Sequence, residues 1–100
     1  MDMENLYMSW RCLIDTLPIS NAIIMIGEID ESPVSMQVLM ARALLYMQIA
    51  EKNLGTYTQA QPERFNYPPA KKGKIVLQFQ VLFPNRKQFE KFKKEISLLN

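Results

Sequence analysis

The side chains in this sequence that are best suited to binding chemistry are the lysines and arginines of its last third. Residues 64–100 carry nine basic and two acidic side chains, whereas residues 1–63 carry three basic and eight acidic ones. The two parts therefore have formal net charges of +7 and −5, within a total of +2. Such an asymmetry between two parts of a chain is typical of proteins with charged partners, and it makes the basic part the candidate contact surface.

Seven of these basic residues lie before or after a strand that is predicted over residues 74–83, and we call them the basic stripe. Because a strand rises about 3.3 Å per residue, the group before the strand and the group after it are roughly 30 Å apart. That separation favours an extended contact with a partner over a pocket. The members of the basic stripe are Lys71, Lys72, Lys74, Arg86, Lys87, Lys91 and Lys94.

Two classes of partner fit the basic stripe, and a solvated helix face without any partner is the third interpretation. Nucleic acid is one class, because each neutralised phosphate releases counterions. Aromatic rings in the adjacent connector, Tyr57, Phe65 and Tyr67, could then stack on bases. An acidic protein surface is the other class.

Catalytic and metal chemistry have little support in the sequence. It contains no histidine, which removes the commonest metal ligand and the usual general base. The single cysteine, Cys12, excludes an internal disulfide and a cysteine-based zinc site. Glycine-rich phosphate loops and the nucleophile-elbow motif are missing as well. We therefore expect a protein that is not an enzyme, needs no cofactor or metal and has no small-molecule substrate.

Three carboxylates within four positions, Glu28, Asp30 and Glu31, are the one cluster that suggests a cation. Oxygen ligands of this kind suit a hard cation such as Ca²⁺. The regular spacing of a calcium loop is absent, however. Negative charge just before a helix is stabilised by the helix dipole, by roughly 0.3–1 kcal/mol for each group. We therefore interpret the cluster as helix-end electrostatics.

The element that must position the remaining residues is a long helix, predicted over residues 33–54. Strong helix formers fill this stretch. Ser32 can cap its start, Pro33 suits its first position, and Gly55 can close its end. At about 1.5 Å per residue the helix would be roughly 33 Å long, which is the width of a small domain.

The predicted helix carries two apolar stripes when its residues are placed at intervals of about 100°. The broad stripe contains Met36, Leu39, Met40, Ala43, Tyr46, Met47, Ala50 and Leu54. The narrow stripe contains Val34, Val38, Leu45 and Ile49. Either other elements of the same chain cover the narrow stripe, or it forms the interface of a homodimer.

Five further elements are predicted around the long helix. Residues 3–17 repeat apolar side chains at spacings of three and four, which predicts an amphipathic helix. Residues 74–83 alternate in the manner of a strand with one wholly apolar face. Residues 20–29 favour a buried strand, with a short helix as the alternative, and residues 56–61 favour a short edge strand. Residues 86–99 predict a final helix with a narrow apolar stripe.

These elements predict a single α+β domain over residues 1–100. The expected order is α-β-α-(β)-β-α, with the long helix packed on a small sheet. A mostly helical domain with one hairpin is the alternative.

The expected function is that of a small interaction protein that binds another protein, as a regulator or an inhibitor does. A nucleic-acid-binding module that uses the basic C-terminal third is the alternative. The longest unbroken apolar runs have five residues, whereas a membrane span needs about 20. The N-terminus also lacks the pattern of a secretion signal. We therefore expect a cytoplasmic protein with no membrane partner.

Overall fold

The computed structural model of the protein describes residues 7–14, 21–58 and 71–99, which form a four-stranded sheet and two helices. The elements are β1 (Met8–Ile14), β2 (Ala22–Asp30), α1 (Ser35–Lys52), β3 (Thr56–Thr58), β4 (Lys74–Leu82) and α2 (Arg86–Leu99). The predicted α+β class is confirmed, and the mostly helical alternative is wrong. Neither helix of the described part is long and apolar enough to cross a membrane.

The first element is a strand, although the spacing of apolar residues over 3–17 predicts a helix. The order of elements is therefore β-β-α-β-β-α. As a strand, β1 pairs with β2 over seven residues and packs Trp10 against the main hydrophobic core, and these tertiary contacts outweigh a local helical preference. The register pairs on the face that carries Trp10 are Met8–Ile29, Trp10–Gly27, Cys12–Met25 and Ile14–Ile23. Residues 3–6 and 15–17 of the predicted helix lie outside the described residues.

The four strands run antiparallel in the order β1-β2-β4-β3, so that β1 and β3 are the edges of the described sheet. β2 and β4 pair over nine residues each, which confirms the strands predicted over 20–29 and 74–83. β3 pairs only with residues 80–82 of β4. It confirms the start of the predicted edge strand, whose last three residues lie outside the described ranges.

Both helices pack on one face of the sheet and enclose the main hydrophobic core. The core contains Ile23, Met25, Ala43, Tyr46, Ala50, Phe79, Val81, Phe83, Phe89, Phe92 and Ile96. The opposite face carries a smaller cluster around Ile24 and Ile26, which are 0% and 1% exposed. β2 is therefore buried on both faces, which explains why its sequence is a nearly continuous apolar run.

The end of α1 depends on a close approach of backbone to the core rather than on glycine flexibility. Leu54, and not Gly55, has the left-handed backbone, with φ 64°. The Gly55 N–H donates to the Ala50 carbonyl at 2.7 Å. A Cβ atom on Gly55 would lie 2.8 Å from Phe83 Cε1, so that only glycine fits at this position.

The predicted long helix is confirmed, but its broad apolar stripe is only partly buried. The members that face the sheet, Leu39, Ala43, Tyr46 and Ala50, are at most 1% exposed. The members on one flank, Met36 and Met40, are nearly half exposed. The broad stripe is wider than the surface that α1 buries, because a helix contacts a sheet with only one side of its circumference.

The narrow stripe of Val34, Val38, Leu45 and Ile49 is half-buried. Its flank of α1 faces α2, where Arg42 Nη2 donates to the Leu99 carbonyl at 3.4 Å. Ile49 also packs against the main core. Part of the narrow stripe is therefore shielded by α2 of the same chain, and its use as a homodimer interface stays a prediction.

α2 confirms the helix predicted over residues 86–99. The Gln88 N–H donates to Asn85 Oδ1 at 2.9 Å, which caps the first turn. Phe89, Phe92 and Ile96 are buried against the sheet and α1. The polar side chains are thereby directed to the flanks and to the outer face of the helix.

The indole of Trp10 packs against the backbone of Gly27, its register partner, and thereby joins β1 to β2. A Cβ atom on Gly27 would lie 2.4 Å from Trp10 Cζ2. The same indole meets the rings of Tyr46 and Phe79 edge to face, with ring centroids 5.1 and 6.3 Å away. Gly27 therefore makes room for the largest side chain of β1.

We expect Gly27→Ala to lower the free energy of unfolding by about 1–3 kcal/mol, because the new methyl group displaces the indole. Urea unfolding followed by circular dichroism measures the loss. The same substitution in a Trp10→Leu background should cost clearly less, since the ring is gone. An equal cost in both backgrounds would contradict the contact.

Candidate functional site

The structure divides the basic stripe between two places. Lys71 and Lys72 are exposed in the turn before β4, whereas Arg86, Lys87, Lys91 and Lys94 lie on α2. The nine residues of β4 separate the turn from the start of α2 by about 26 Å at 3.3 Å per residue. The stripe is therefore two separate basic areas.

Lys74 is held by a carboxylate and adds little free charge to the stripe. Its ammonium forms an ion pair with Asp30, its register partner on β2. Asp30 Oδ2 also accepts the Tyr7 N–H at 3.4 Å. The hydrogen bond from Lys74 holds the pKa of Asp30 below its usual range, and it raises the pKa of Lys74. One of the three clustered carboxylates therefore serves a cross-strand ion pair.

The outer face of α2 carries a row of three lysines, which we call the lysine ridge. Lys87, Lys91 and Lys94 are all exposed and follow one another at spacings of four and three residues. No described residue forms a salt bridge with any of the three. Leu98, four residues further along the same face, is 78% exposed and extends the ridge with an apolar side chain.

The two carboxylates of α2 are directed to its flanks and do not neutralise the lysine ridge. Glu90 pairs with Arg86 at 3.3 Å and with Lys93 at 3.4 Å. Glu95 pairs with Lys52 of α1 at 3.4 Å. Within the described part of the chain, the charges on the flanks of α2 are thus paired and those on its outer ridge are not.

The predicted base-stacking residues do not form a platform in the described part of the chain. The Tyr57 ring is 40% exposed, and its hydroxyl donates to Glu51 Oε1 at 2.6 Å. That hydrogen bond raises the pKa of Tyr57 and places a carboxylate beside the ring. Phe65 and Tyr67 lie outside the described residues.

A cleft between β1 and α2 is a second candidate site, which the sequence does not predict. Its volume is about 260 Å³. The walls come from Trp10, Cys12 and Ile14 on β1 and from Phe92, Lys93, Ile96 and Ser97 on α2. The predicted helix over residues 3–17 does not imply this cleft, because only a strand directs alternate side chains of residues 10–14 towards α2.

Two polar groups of β1 border the cleft. The Cys12 thiol donates to Met25 Sδ at 3.4 Å. Although part of the residue is exposed, burial raises the pKa of the Cys12 thiol, which makes it a poor nucleophile. The Trp10 indole N–H is buried and has no hydrogen-bond partner in the described part of the chain. Among the described residues the cleft is therefore predominantly apolar, and Lys93 is the only charged one that lines it.

Comparisons with protein-family models, with curated proteins and with solved structures give no match for this chain. The functional proposal therefore depends on the geometry of the lysine ridge and the cleft.

The Asp30–Lys74 ion pair predicts a pH-dependent stability. Because the pKa of Asp30 is lowered by folding, its contribution is present above the ordinary value of about 3.9 and is lost as the pH falls through the folded value. We expect Asp30→Asn to lower the free energy of unfolding at neutral pH, with the difference from wild type shrinking in acid. Urea unfolding over a pH series measures both.

The control is Glu31→Gln, because Glu31 is an exposed carboxylate that makes no salt bridge with any described residue. It should change the stability less at neutral pH. A difference between Asp30→Asn and wild type that stays constant into strong acid would contradict the ion pair.

Proposed function

We propose that this protein is a small non-enzymatic interaction protein of the cytoplasm, which acts as a regulator or inhibitor by binding an acidic surface of another protein. The observation that carries the proposal is the lysine ridge of α2, in which Lys87, Lys91 and Lys94 are exposed and unpaired among the described residues. A lone, reduced cysteine fits a reducing compartment.

The lysine ridge is unfavourable for α2 itself. Lysines at spacings of three and four residues repel one another, at about 0.2–0.5 kcal/mol for each pair. Lys87 also lies in the first turn of α2, where the positive end of the helix dipole opposes a cation. An anionic partner would relieve both effects, which supports the ridge as a binding surface.

The exposed Leu98 favours a protein over a nucleic acid as the partner. It continues the line of the three lysines, so a partner that covers the ridge must accept an apolar side chain next to cations. An acidic protein surface can offer apolar contacts beside its carboxylates, whereas the backbone of a nucleic acid offers phosphates. The carboxylate beside Tyr57 likewise disfavours a base-stacking surface there.

Replacing two ridge lysines separates binding from folding. We expect Lys87→Gln together with Lys91→Gln to raise the free energy of unfolding by about 0.5–1 kcal/mol, because like-charge repulsion is removed. The same variant should bind the partner about tenfold more weakly, since it loses two cations at the interface. Chemical unfolding measures the first effect, and titration of the co-purified partner measures the second.

The matched control is Gln37→Glu together with Gln48→Glu, two exposed positions of α1 that give the same change in net charge. Partners are identified by mass spectrometry after purification from nuclease-treated cell extract. A protein that is retained by wild type and by the control, but not by the ridge variant, supports the proposal.

Nucleic acid is the alternative partner, and salt dependence distinguishes it. Binding to duplex DNA with a log–log salt slope of about −0.9 for each neutralised phosphate, lost in the ridge variant, would favour this alternative. The homodimer is tested by light scattering, where a monomer gives 11.7 kDa and a dimer twice that mass.

A further inference from the structure

We propose that the outer edge of β1 and the cleft beside it form a second binding site, which accepts an extended peptide segment of another protein as a fifth strand. The site is distinct from the lysine ridge and does not depend on its function. It combines an edge strand with an apolar cleft lined by the same residues. This combination is the one used in peptide recognition by strand addition.

The direction of the backbone groups of β1 follows from two hydrogen bonds. The Asp30 N–H donates to the Tyr7 carbonyl at 3.2 Å, so that residue 7 directs its backbone groups towards β2. The Phe83 N–H donates to the Asn21 carbonyl at 2.9 Å, so that residue 21 directs its backbone groups towards β4. The even-numbered residues of β2 therefore face β1, which agrees with the bond from Asp30 to Tyr7. In an antiparallel pair, successive residues alternate between facing the partner strand and facing away from it.

The even-numbered residues of β1 therefore direct their backbone groups to the outer edge. They are Met8, Trp10, Cys12 and Ile14. No described residue pairs with this edge. Three of the same residues also line the cleft with their side chains. A strand added at this edge would thus be hydrogen-bonded by the residues whose side chains receive it.

The size of the cleft fits a side chain better than a free small molecule. Its volume of about 260 Å³ is below the range of about 300–1,000 Å³ that is typical of drug-sized ligands. Its walls are mainly apolar, with Ile14 41% exposed at the rim. Every second residue of an added strand points towards α2, so one apolar side chain of the peptide would enter the cleft.

The charge beside the cleft selects an acidic peptide. Lys93 forms part of the wall, and Arg86 lies on the same flank of α2. Glu90 is the only carboxylate on that flank and pairs with both cations. Arg86 and Lys93 together keep a net positive charge after this pairing. An acidic residue of the peptide, two positions from the apolar residue that enters the cleft, would complement that charge.

The same charge argues against a second copy of this chain as the occupant. Two-fold pairing of β1 with its copy would place the two α2 helices on one face of a continuous sheet. Their flanks with Lys93 and Arg86 would then face each other across the axis. Like charges at close range disfavour that arrangement.

The test begins with a selection of random heptapeptides, displayed on phage, against the full chain. We expect enriched peptides that carry an apolar residue and an Asp or Glu two positions away. A synthetic peptide from the selection is then titrated against variants of the protein by fluorescence anisotropy.

Cys12→Pro removes one outward N–H, and proline is tolerated on an edge strand when its nitrogen faces outwards. Cys12→Ala keeps the N–H and serves as the reference for the lost thiol. We expect Cys12→Pro to bind the peptide about tenfold more weakly than Cys12→Ala. Circular dichroism confirms that both variants are folded.

Lys93→Glu provides a second test that does not alter the backbone. It should weaken the selected peptide by about fivefold, and a peptide with Lys in place of its acidic residue should recover the loss. A selection that enriches no such sequence, or equal binding by Cys12→Pro and Cys12→Ala, would overturn the proposal. A dimer in light scattering that Cys12→Pro dissociates would overturn the choice of occupant.

Discussion

The packing of the Trp10 indole on the bare backbone of Gly27 is the contact on which the described structure depends most. A side chain at position 27 would collide with the ring, at 2.4 Å from Cζ2. The contact fixes the register of β1, because a shift by one residue would turn Trp10 to the other face of the sheet. It also brings the ring against Tyr46 of α1, so that strand pairing and helix packing are set together.

The register of β1 in turn decides which surfaces are available for binding. With this register, the residues of β1 whose backbone groups face outwards also line the cleft beside α2 with their side chains. α2 then presents three surfaces with different chemistry: an apolar one in the core, a flank that borders the cleft, and the lysine ridge. The lysine ridge and the cleft are the two surfaces on which the binding proposals depend.

The sequence predicts those elements whose local pattern and tertiary burial agree. β4 alternates cleanly, the apolar faces of α1 and α2 follow helical spacing, and Asn85 caps α2. The predicted cap of α1 at Ser32 is wrong, because α1 begins at Ser35 and the residue before it, Val34, makes no side-chain cap hydrogen bond. β1 is missed because its apolar residues also fit a helical spacing, whereas the alternation of Met8, Trp10 and Cys12 with Ser9 and Arg11 is the signal that favours a strand. The sequence predicts the lysines of the ridge as members of one basic stripe. Their separation from Lys71 and Lys72 depends on how β4 and α2 are arranged, which the sequence does not show. The pairing of Lys74 with Asp30 likewise depends on the register of β2 and β4.

Residue-resolved amide hydrogen exchange measured by NMR tests directly whether β1 pairs with β2 on one side only, as it does among the described residues. We expect the protection of the amides to alternate along β1. The amides of Ser9, Arg11 and Leu13, which face β2, should exchange slowly, and those of Trp10 and Cys12 should exchange quickly. Protection of consecutive amides from residue 9 to residue 13 would contradict it, because a helix or a strand paired on both edges protects every residue.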